Sequence, residues 1–283
     1  MEGYYFLLFL FILSFVTLAW LLSSVGDLVP SIGADAKAEL GRLVFNNYRV
    51  DKFESIHPID VNPEEITLVS GSVGERLWAP LSKKRLHDYA DQHGYNVFYF
   101  IENVNDEVPG LWQKIYAVKE AFQDPACQVL VWIDDDIFIT APERPIEDFL
   151  AMTDKPMIFS ADLGIRPGDG SSYPPEYYWN VINAGFFILR KSPEAISFIE
   201  DVIAGRENLY NGYWNTHTFH DQSVMTYYLY SKYLESFTIM PLGYLQVLHR
   251  NREWRPGHFS VHFAGENGRV RYEGMTKLIN NSD

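Results

Sequence analysis

The chain is nearly free of cysteine, with Cys127 as the only one among 283 residues. A single thiol cannot form an intrachain disulfide, and it excludes both a zinc knuckle and a dithiol redox site. Packing must therefore stabilise the fold, and a hydrophobic content of 47% is enough for one large domain or two modest ones. We expect Cys127 to be buried as a small apolar side chain.

Basic residues are also scarce, with 23 Lys and Arg against 37 Asp and Glu and a formal net charge of −14. A chain of this charge repels nucleic-acid backbones and has no basic stripe that could neutralise phosphates. We therefore expect no nucleic-acid partner. A phosphorylated small molecule could bind only with a divalent cation that screens its charge.

Three consecutive carboxylates, Asp134, Asp135 and Asp136, follow the apolar run Val129–Ile133, and no Lys or Arg lies within seven residues on either side. Because alternate side chains of a strand share a face, we expect Asp134 and Asp136 to point to one side and Asp135 to the other. Two carboxylates on one side suit a hard divalent ion such as Mn²⁺ or Mg²⁺. The alternative is a solvated turn or a helix cap, because Asp is favoured in both places.

The hydrophobic pattern predicts alternating strands and helices. Strands are predicted at 66–69, 96–101 and 129–133, with helices at 81–93 and 111–122 between them. Further strands are predicted at 157–161 and 186–189, and a helix from 192 to about 205. This alternation indicates an α/β fold with a mainly parallel sheet that binds ligands beyond the carboxyl ends of its strands. The glycine-containing loop 70–74 and two long aromatic loops, 164–180 and 207–220, are candidate ligand contacts.

Residues 4–22 carry no charged side chain and are numerous enough to cross a bilayer as a helix. We predict a transmembrane signal anchor in residues 1–26 with a short cytoplasmic end, a stem at 27–63 and a catalytic domain at 64–283. A cleaved signal peptide is the alternative, since Ser24, Val25 and Gly26 resemble a cleavage site, although the apolar stretch exceeds the usual length. The few flanking charges do not decide the orientation.

A set of short motifs resembles glycosyltransferase family 34, which includes fungal α-galactosyl- and mannosyltransferases and plant xyloglucan xylosyltransferases. The likeness extends over about residues 64–265, and its order and spacing match as well as its content. No single motif is specific, but the ordered set is. The motifs are LVSGSVG at 68–74, KRLHDYADQHGY at 84–95, WQK at 112–114, WIDDD at 132–136, NAGFFILR at 183–190, HDQ at 220–222 and HFAG at 262–265.

The resemblance implies a GT-A fold, in which a nucleotide sugar binds over the carboxyl ends of a Rossmann-like sheet and Mn²⁺, or Mg²⁺ in its place, bridges the protein to the diphosphate. It implies Asp134, Asp136 and His262 as metal ligands, and Asp221 and Gln222 as the catalytic pair. It also implies a set of donor-binding positions: Ser70, Gly71, Ser72, Asp134, Asp135, Asn183, Ala184 and Gly185.

Several of these residues have a structural alternative. His262 could be a core histidine satisfied by hydrogen bonds. The Asn-Ala-Gly element at 183–185 could be a turn that enters the following strand. Asp221 could be the N-cap of a helix beginning at Ser223.

The chain departs from the family pattern after Gly265. Glu266 and Asn267 stand where relatives often have a cysteine and a lysine, so the diphosphate lacks an obvious cationic partner there. Arg269 or Arg271 could substitute for that lysine.

We therefore expect a metal-dependent, retaining glycosyltransferase that moves galactose, xylose or mannose from a nucleotide diphosphate sugar to a glycan hydroxyl. Asp221 would stabilise an oxocarbenium-like state rather than attack it. The resemblance to this family implies a lumenal domain of a single-pass type II protein in the Golgi or ER membrane. The alternative is a catalytically inactive nucleotide-sugar or glycan-binding protein of the same fold. A phosphatase of the haloacid dehalogenase type fits poorly, because Phe138 stands where that motif needs Thr or Val.

Overall fold

A computed structural model of the chain describes residues 60–162, 182–208, 220–251 and 254–280. The predicted anchor, nearly all of the predicted stem and most of both aromatic loops lie outside these ranges. Within the described residues, no helix is both long enough and apolar enough to cross a bilayer. The proposed span at 4–22 lies outside these residues.

Strands and helices alternate along the described chain. A 3₁₀ turn at Pro63–Glu65 precedes the first strand, and another at Gly110–Trp112 precedes the second helix. The elements are, in order, β1 (Ile66–Gly71), α1 (Ala79–His93), β2 (Asn96–Phe100), α2 (Gln113–Ala121), β3 (Val129–Ile133), β4 (Ile137–Ile139), α3 (Glu147–Leu150), β5 (Met157–Ala161), β6 (Ile182–Arg190), α4 (Pro193–Asn208), α5 (His220–Ser231), β7 (Phe237–Met240), β8 (Val247–Leu248), β9 (Ser260–His262) and α6 (Gly268–Asn280).

The predicted βαβαβ series is confirmed in β1 to β3. Helix α1 buries Ser82, Leu86 and Tyr89 on one face, a spacing that matches the helical period. It ends at Gly94, whose left-handed backbone (φ 78°) lets its N–H reach the carbonyl of Ala90. β1 then pairs in parallel with β2 on one side and with β3 on the other.

Six of the described strands form one sheet in the order β2-β1-β3-β6-β5-β7. β6 runs antiparallel to both β3 and β5, while β5 and β7 are parallel. The α/β prediction is therefore confirmed, and the prediction of a parallel β3 holds for its β1 side only. β6 is also longer than predicted: its residues 182–190 include the Asn-Ala-Gly element, so that element is not a turn before the strand.

Alternate residues of β3 supply two cores on opposite faces of the sheet. Leu130 and Trp132 pack with helix α2 and helix α4, in a cluster that contains the fully buried Trp112 and Phe198. Val129, Val131 and Ile133 pack with α1 in the other cluster. Burying a side chain of this size contributes roughly 1.5–3 kcal/mol, so the central strand is held firmly from both sides. Cys127 is fully buried, as predicted.

A second, three-stranded sheet lies next to the carboxyl end of β3. Its order is β4-β9-β8, with β4 and β9 antiparallel and β8 and β9 parallel. Helix α6 covers it, packing Met275 and Leu278 against Phe138 and Phe263. The chain passes from the large sheet into the small one through residues 134–136, so the acidic triplet joins the two sheets.

Candidate metal and donor site

The acidic triplet forms a tight turn rather than the end of a strand. The N–H of Ile137 donates to the carbonyl of Asp134 at 3.0 Å, and the N–H of Asp134 donates to the carbonyl of Gly185 at 2.9 Å. The expectation that strand alternation orients the carboxylates is therefore wrong, because the chain changes sheets here. Asp134 and Asp136 nevertheless point to the same side, as expected, and face His262. Asp135 points elsewhere and lies 3.4 Å from Arg76.

His262 joins the two carboxylates through the pairing of β4 with β9. His262 is the register partner of Ile137, and the N–H of Phe263 donates to the carbonyl of Asp136 at 3.0 Å. One ligand atom from each of Asp134, Asp136 and His262 lies within 4.8 Å of the others. The sequence-based metal triad therefore converges in space, although His262 lies more than 120 residues from the carboxylates.

Each metal carboxylate has one oxygen toward His262 and the other toward a cation or donor. The Nε2 atom of His262 lies 3.1 Å from Oδ1 of Asp136 and 3.9 Å from Oδ2 of Asp134. Oδ1 of Asp134 accepts from the Trp132 indole at 2.7 Å, and Oδ2 of Asp136 pairs with Arg271 at 2.9 Å. One oxygen of each carboxylate is thus available for a metal, and the other fixes the carboxylate's orientation.

Burial and mutual contact shift the pKa values of the triad. Burial raises the pKa of Asp134, although the nearby Lys114 opposes this. Burial would also raise the pKa of Asp136, but His262 and Arg271 outweigh it and hold that pKa below its ordinary value. Burial would lower the pKa of His262, but Asp136 outweighs it and raises that pKa. The directions of these pKa shifts show that Asp136 and His262 stabilise each other's charged forms.

Lys114 is a site residue that sequence reasoning did not single out. Its ammonium lies 3.1 Å from Asp134 and 3.0 Å from Asp221, and it donates to the carbonyl of Ala184 at 2.9 Å. Burial would lower the pKa of Lys114, but the two carboxylates outweigh it and raise that pKa. A signal was present: a lysine in the first turn of a helix opposes the helix dipole and so indicates an acidic partner.

The Asn-Ala-Gly element forms an irregular segment of β6. The pairing with β5 shifts register there, from Phe159 opposite Phe187 to Ser160 opposite Asn183. The residues that lose strand partners hydrogen-bond to site residues instead. The Ala184 N–H donates to the side-chain oxygen of Gln222, and the Asn183 side-chain oxygen accepts from the Gly185 N–H, both at 2.9 Å.

The predicted catalytic pair is attached to this segment. Helix α5 begins at His220, so Asp221 lies in its first turn and does not cap a helix starting at Ser223. Asp221 is 6% exposed and pairs with Lys114. Gln222 accepts from Ala184 and donates to Asp162 at 3.0 Å. Both residues are thereby linked to the metal triad through Lys114 and β6.

The remaining donor-binding candidates, residues 70–72, lie at the carboxyl end of β1, at the same edge of the sheet. β1 pairs with β3 as far as Val69 opposite Trp132, which places Ser70, Gly71 and Ser72 beside the start of the acidic turn. Ser70 and Gly71 belong to β1 itself rather than to a loop. A side chain on Gly71 would overlap the Phe100 ring, so strand packing already requires a glycine there. Their donor-binding roles stay predictions.

Glu266 and Asn267, which stand where the resemblance led us to expect a cysteine and a lysine, both have structural roles. Glu266 pairs with His249 at 2.8 Å. Asn267 precedes α6, where its side-chain oxygen accepts from the Val270 N–H at 3.0 Å, the pattern of an N-cap. Neither residue supplies a cation to the site.

Gly185 gives a prediction that tests this geometry. A Cβ atom at Gly185 would lie 2.8 Å from Nδ1 of His262 and 2.9 Å from Oδ1 of Asn183. Gly185→Ala is therefore expected to displace the imidazole, lower the free energy of unfolding by about 1–3 kcal/mol and weaken Mn²⁺ binding at least about tenfold. Urea unfolding and calorimetric Mn²⁺ titration measure the two effects.

Gly110 provides the matched control for Gly185→Ala, because a Cβ atom there would meet nothing within 4 Å. Gly110→Ala should leave Mn²⁺ binding unchanged. Equal Mn²⁺ affinity in Gly185→Ala and the parent chain would contradict the placement of His262.

Comparison with known proteins supports the fold and the family resemblance. Residues 70–163 match the galactosyl transferase GMA12/MNN10 family. This stretch includes the acidic triplet and confirms the family resemblance seen in the motifs. Probable glycosyltransferase 4 from rice, in both the indica and japonica subspecies, is 25% identical over 143 residues. That match covers 48% of this chain and 28% of the length of the rice proteins.

Two solved structures share the fold of this chain. One is a glycosyltransferase involved in the glycosylation of the major capsid of PBCV-1, with a TM-score of 0.58 and 19% identity over 75% of this chain and 98% of that one. The other is the galactosyltransferase LgtC in complex with donor and acceptor sugar analogues, with a TM-score of 0.50 and 11% identity over 76% and 95%. The predicted Rossmann-like GT-A architecture is thereby confirmed.

Proposed function

We propose that the chain is a metal-dependent, retaining glycosyltransferase that moves galactose, xylose or mannose from a nucleotide diphosphate sugar to a glycan hydroxyl. The observation that carries this proposal is the convergence of Asp134, Asp136 and His262 within 4.8 Å at the carboxyl end of β3. Ligands of open α/β sheets bind at this edge. The match of residues 70–163 to a galactosyl transferase family supports the same reaction class.

The chemistry of the donor set fits a divalent ion. Two carboxylate oxygens and one imidazole nitrogen suit Mn²⁺, with Mg²⁺ as the harder alternative. Asp134, Asp136 and His262 would hold it. A bound Mn²⁺ would act as a Lewis acid that neutralises the departing diphosphate. Nδ1 of His262 has no hydrogen-bond partner among the described residues, so the ring is oriented by the carboxylates at Nε2 and by packing.

The protein's own residues then position the reacting sugar. Lys114 fixes the Asp221 carboxylate and, through Ala184, the irregular segment of β6. Asp221 would stabilise the positive charge that develops at the anomeric carbon. The side chain of Gln222 keeps the Ala184 backbone in place and so orients Asn183 beside the sugar hydroxyls.

The proposed transfer takes place on one face of the sugar. The bond from the anomeric carbon to the diphosphate oxygen breaks, and a bond from that carbon to the acceptor oxygen forms on the same face. The acceptor's proton passes to the departing phosphate oxygen. Asp221 remains a carboxylate throughout and forms no covalent bond.

A donor screen tests this function. The full chain is incubated with Mn²⁺ and a panel of UDP- and GDP-linked galactose, xylose, mannose and glucose, and released nucleoside diphosphate is measured. We expect slow, Mn²⁺-dependent release from one donor even without acceptor, because water can replace the glycan hydroxyl. An equal rate in the presence of a chelator would contradict metal dependence.

The same screen separates catalysis from binding alone. A protein that binds a nucleotide sugar with Mn²⁺ in calorimetry but releases no diphosphate from any donor would be the inactive binding protein of the same fold. The substitution of the family's lysine by Asn267 is the observation that motivates this alternative.

We further propose that residues 4–22 anchor the protein as a single-pass type II chain in the Golgi or ER membrane with the catalytic domain in the lumen. The proposal rests on the uncharged apolar stretch alone. Extraction of membranes with alkaline carbonate should leave the chain in the pellet, and external protease should spare the domain in sealed vesicles. Release into the carbonate supernatant would contradict the anchor.

A further inference from the structure

Among the side chains described around the metal triad, a second cation accompanies Lys114. Arg269 and Arg271 both belong to α6, but they differ in direction. Arg269 is 83% exposed and pairs with Glu273 on its own helix at 2.6 Å. Arg271 is only 16% exposed and points back to Asp136. Arg269 and Arg271 carry the same charge two residues apart, but only the side chain of Arg271 reaches the site.

Arg271 is held in place by three contacts from different elements. Nη2 lies 2.9 Å from Oδ2 of Asp136, and Nε donates to the carbonyl of Phe263 at 3.2 Å. The guanidinium lies over the indole of Trp78, 4.5 Å from its centroid. Such contacts reduce the freedom of a long side chain, so that little entropy is lost when it binds an anion.

The surroundings of Trp78 are unusually cationic for this acidic chain. Arg76 lies over the same indole at 5.6 Å and pairs with Asp135. Two guanidinium groups thus contact one aromatic ring, and each pairs with a different carboxylate of the acidic turn. If Asp136 held a divalent ion, its attraction for Arg271 would be weaker, because the ion and the guanidinium would share the charge of one carboxylate. The guanidinium would then be available to an anion at this site.

We propose that Arg271, stacked on Trp78, binds the diphosphate of the donor next to the metal and supplies the cation that Asn267 does not. A guanidinium has five N–H donors in a planar fork that matches phosphate oxygens. Arg271 can therefore contact a phosphate oxygen while retaining its hydrogen bond to Phe263. This inference rests on the proposed function, because it assigns a residue to the donor of that reaction.

Binding of Mn²⁺ alone and of nucleoside diphosphate with Mn²⁺ separates this role from a structural one. The full chain, purified in mild detergent because of its apolar segment, is titrated calorimetrically first with Mn²⁺ and then with UDP or GDP at saturating Mn²⁺. Arg271→Met should bind Mn²⁺ as tightly as the parent or several-fold tighter, because a competing positive charge is gone. It should bind the diphosphate about 10- to 100-fold more weakly.

Arg269→Met is the matched control, since it removes the same charge from the same helix at an exposed position. It should leave both affinities within about twofold of the parent's, because exposed charges are strongly screened. If Arg271→Met does not fold, Arg271→Lys replaces it in the same titrations, because it retains the charge but lacks the planar guanidinium group. It should keep the parent's Mn²⁺ affinity and bind the diphosphate more weakly than the parent.

The outcomes discriminate between the two proposals. If the parent binds UDP or GDP with Mn²⁺ and Arg271→Met binds it equally well, the role of Arg271 is wrong and the proposed function is unaffected. If Arg271→Met loses Mn²⁺ binding as well, Arg271 is a structural residue and the inference is again wrong. A parent chain that binds neither nucleotide in the presence of Mn²⁺ overturns the proposed function and this inference with it.

Discussion

Asp136→Asn is expected to weaken Mn²⁺ binding more than about 100-fold, since removing even a residue that merely orients a ligand typically costs 10- to 100-fold. The substitution keeps the size of the side chain but removes the charge that attracts the ion. Asp136 also holds His262 and Arg271, at 3.1 and 2.9 Å. Donor turnover in the screen above should therefore fall below detection. Calorimetric titration with Mn²⁺ measures the affinity directly.

Asp135→Asn is the matched control for Asp136→Asn. It is the same chemical change one residue away, at a carboxylate that pairs with Arg76 and lies outside the triad. The Mn²⁺ affinity of Asp135→Asn should remain within a few-fold of the parent's. Its affinity for the donor can differ from the parent's, because Asp135 is a predicted donor-binding residue. Equal losses of Mn²⁺ affinity in the two variants would show that total acidity, rather than the triad, binds the ion.

Lys114→Met is expected to cost about 3–5 kcal/mol of unfolding free energy in the absence of metal, the usual range when one partner of a buried ion pair is removed. Two carboxylates, Asp134 and Asp221, would lose their shared cation, and the Ala184 carbonyl would lose its donor. Saturating Mn²⁺ should restore part of this loss, because a cation on Asp134 replaces some of the missing charge. Urea unfolding with and without Mn²⁺ measures both effects.

Lys232→Met provides the comparison for Lys114→Met. Lys232 also pairs with a carboxylate, Asp201, at 2.6 Å, but its side chain is 55% exposed. Exposed pairs contribute little to stability, so we expect little change in unfolding and no added gain from Mn²⁺. A Lys114→Met variant that gains no more from Mn²⁺ than the parent does would argue against an electrostatic link between Lys114 and the metal.

A strand of the sheet could be predicted where its local hydrophobic pattern allowed only one interpretation. The run Val129–Ile133 is buried on both faces, and such a run predicts a central strand. β4 and β9 were missed because each has only three residues and is stabilised by its partner rather than by its own pattern. The same limit applies to β6, where the Asn-Ala-Gly element resembles a turn locally and remains in the strand because site residues satisfy its backbone.

The convergence of Asp134, Asp136 and His262 agrees with the sequence-based prediction, but part of the reasoning behind that prediction was wrong. Strand alternation does not orient Asp134 and Asp136, since they lie in a turn between two sheets. The resemblance to a family supplied His262, which no local pattern could connect to residues more than 120 positions away. The cations could not be assigned from sequence, because Arg269 and Arg271 differ only in which side of α6 they occupy.

The sequence by itself determined the α/β class, the central strand, the acidic cluster at 134–136 and the shortage of basic residues. These follow from local composition and from periods of two and 3.6 residues, which each segment carries on its own. Only the tertiary structure decided that Lys114 joins Asp134 to Asp221, that Arg271 rather than Arg269 reaches Asp136, and that Asn267 caps a helix. Each of those contacts joins or positions residues through the tertiary arrangement of separate segments. That arrangement depends on how the two sheets and α6 pack together, which no single segment determines.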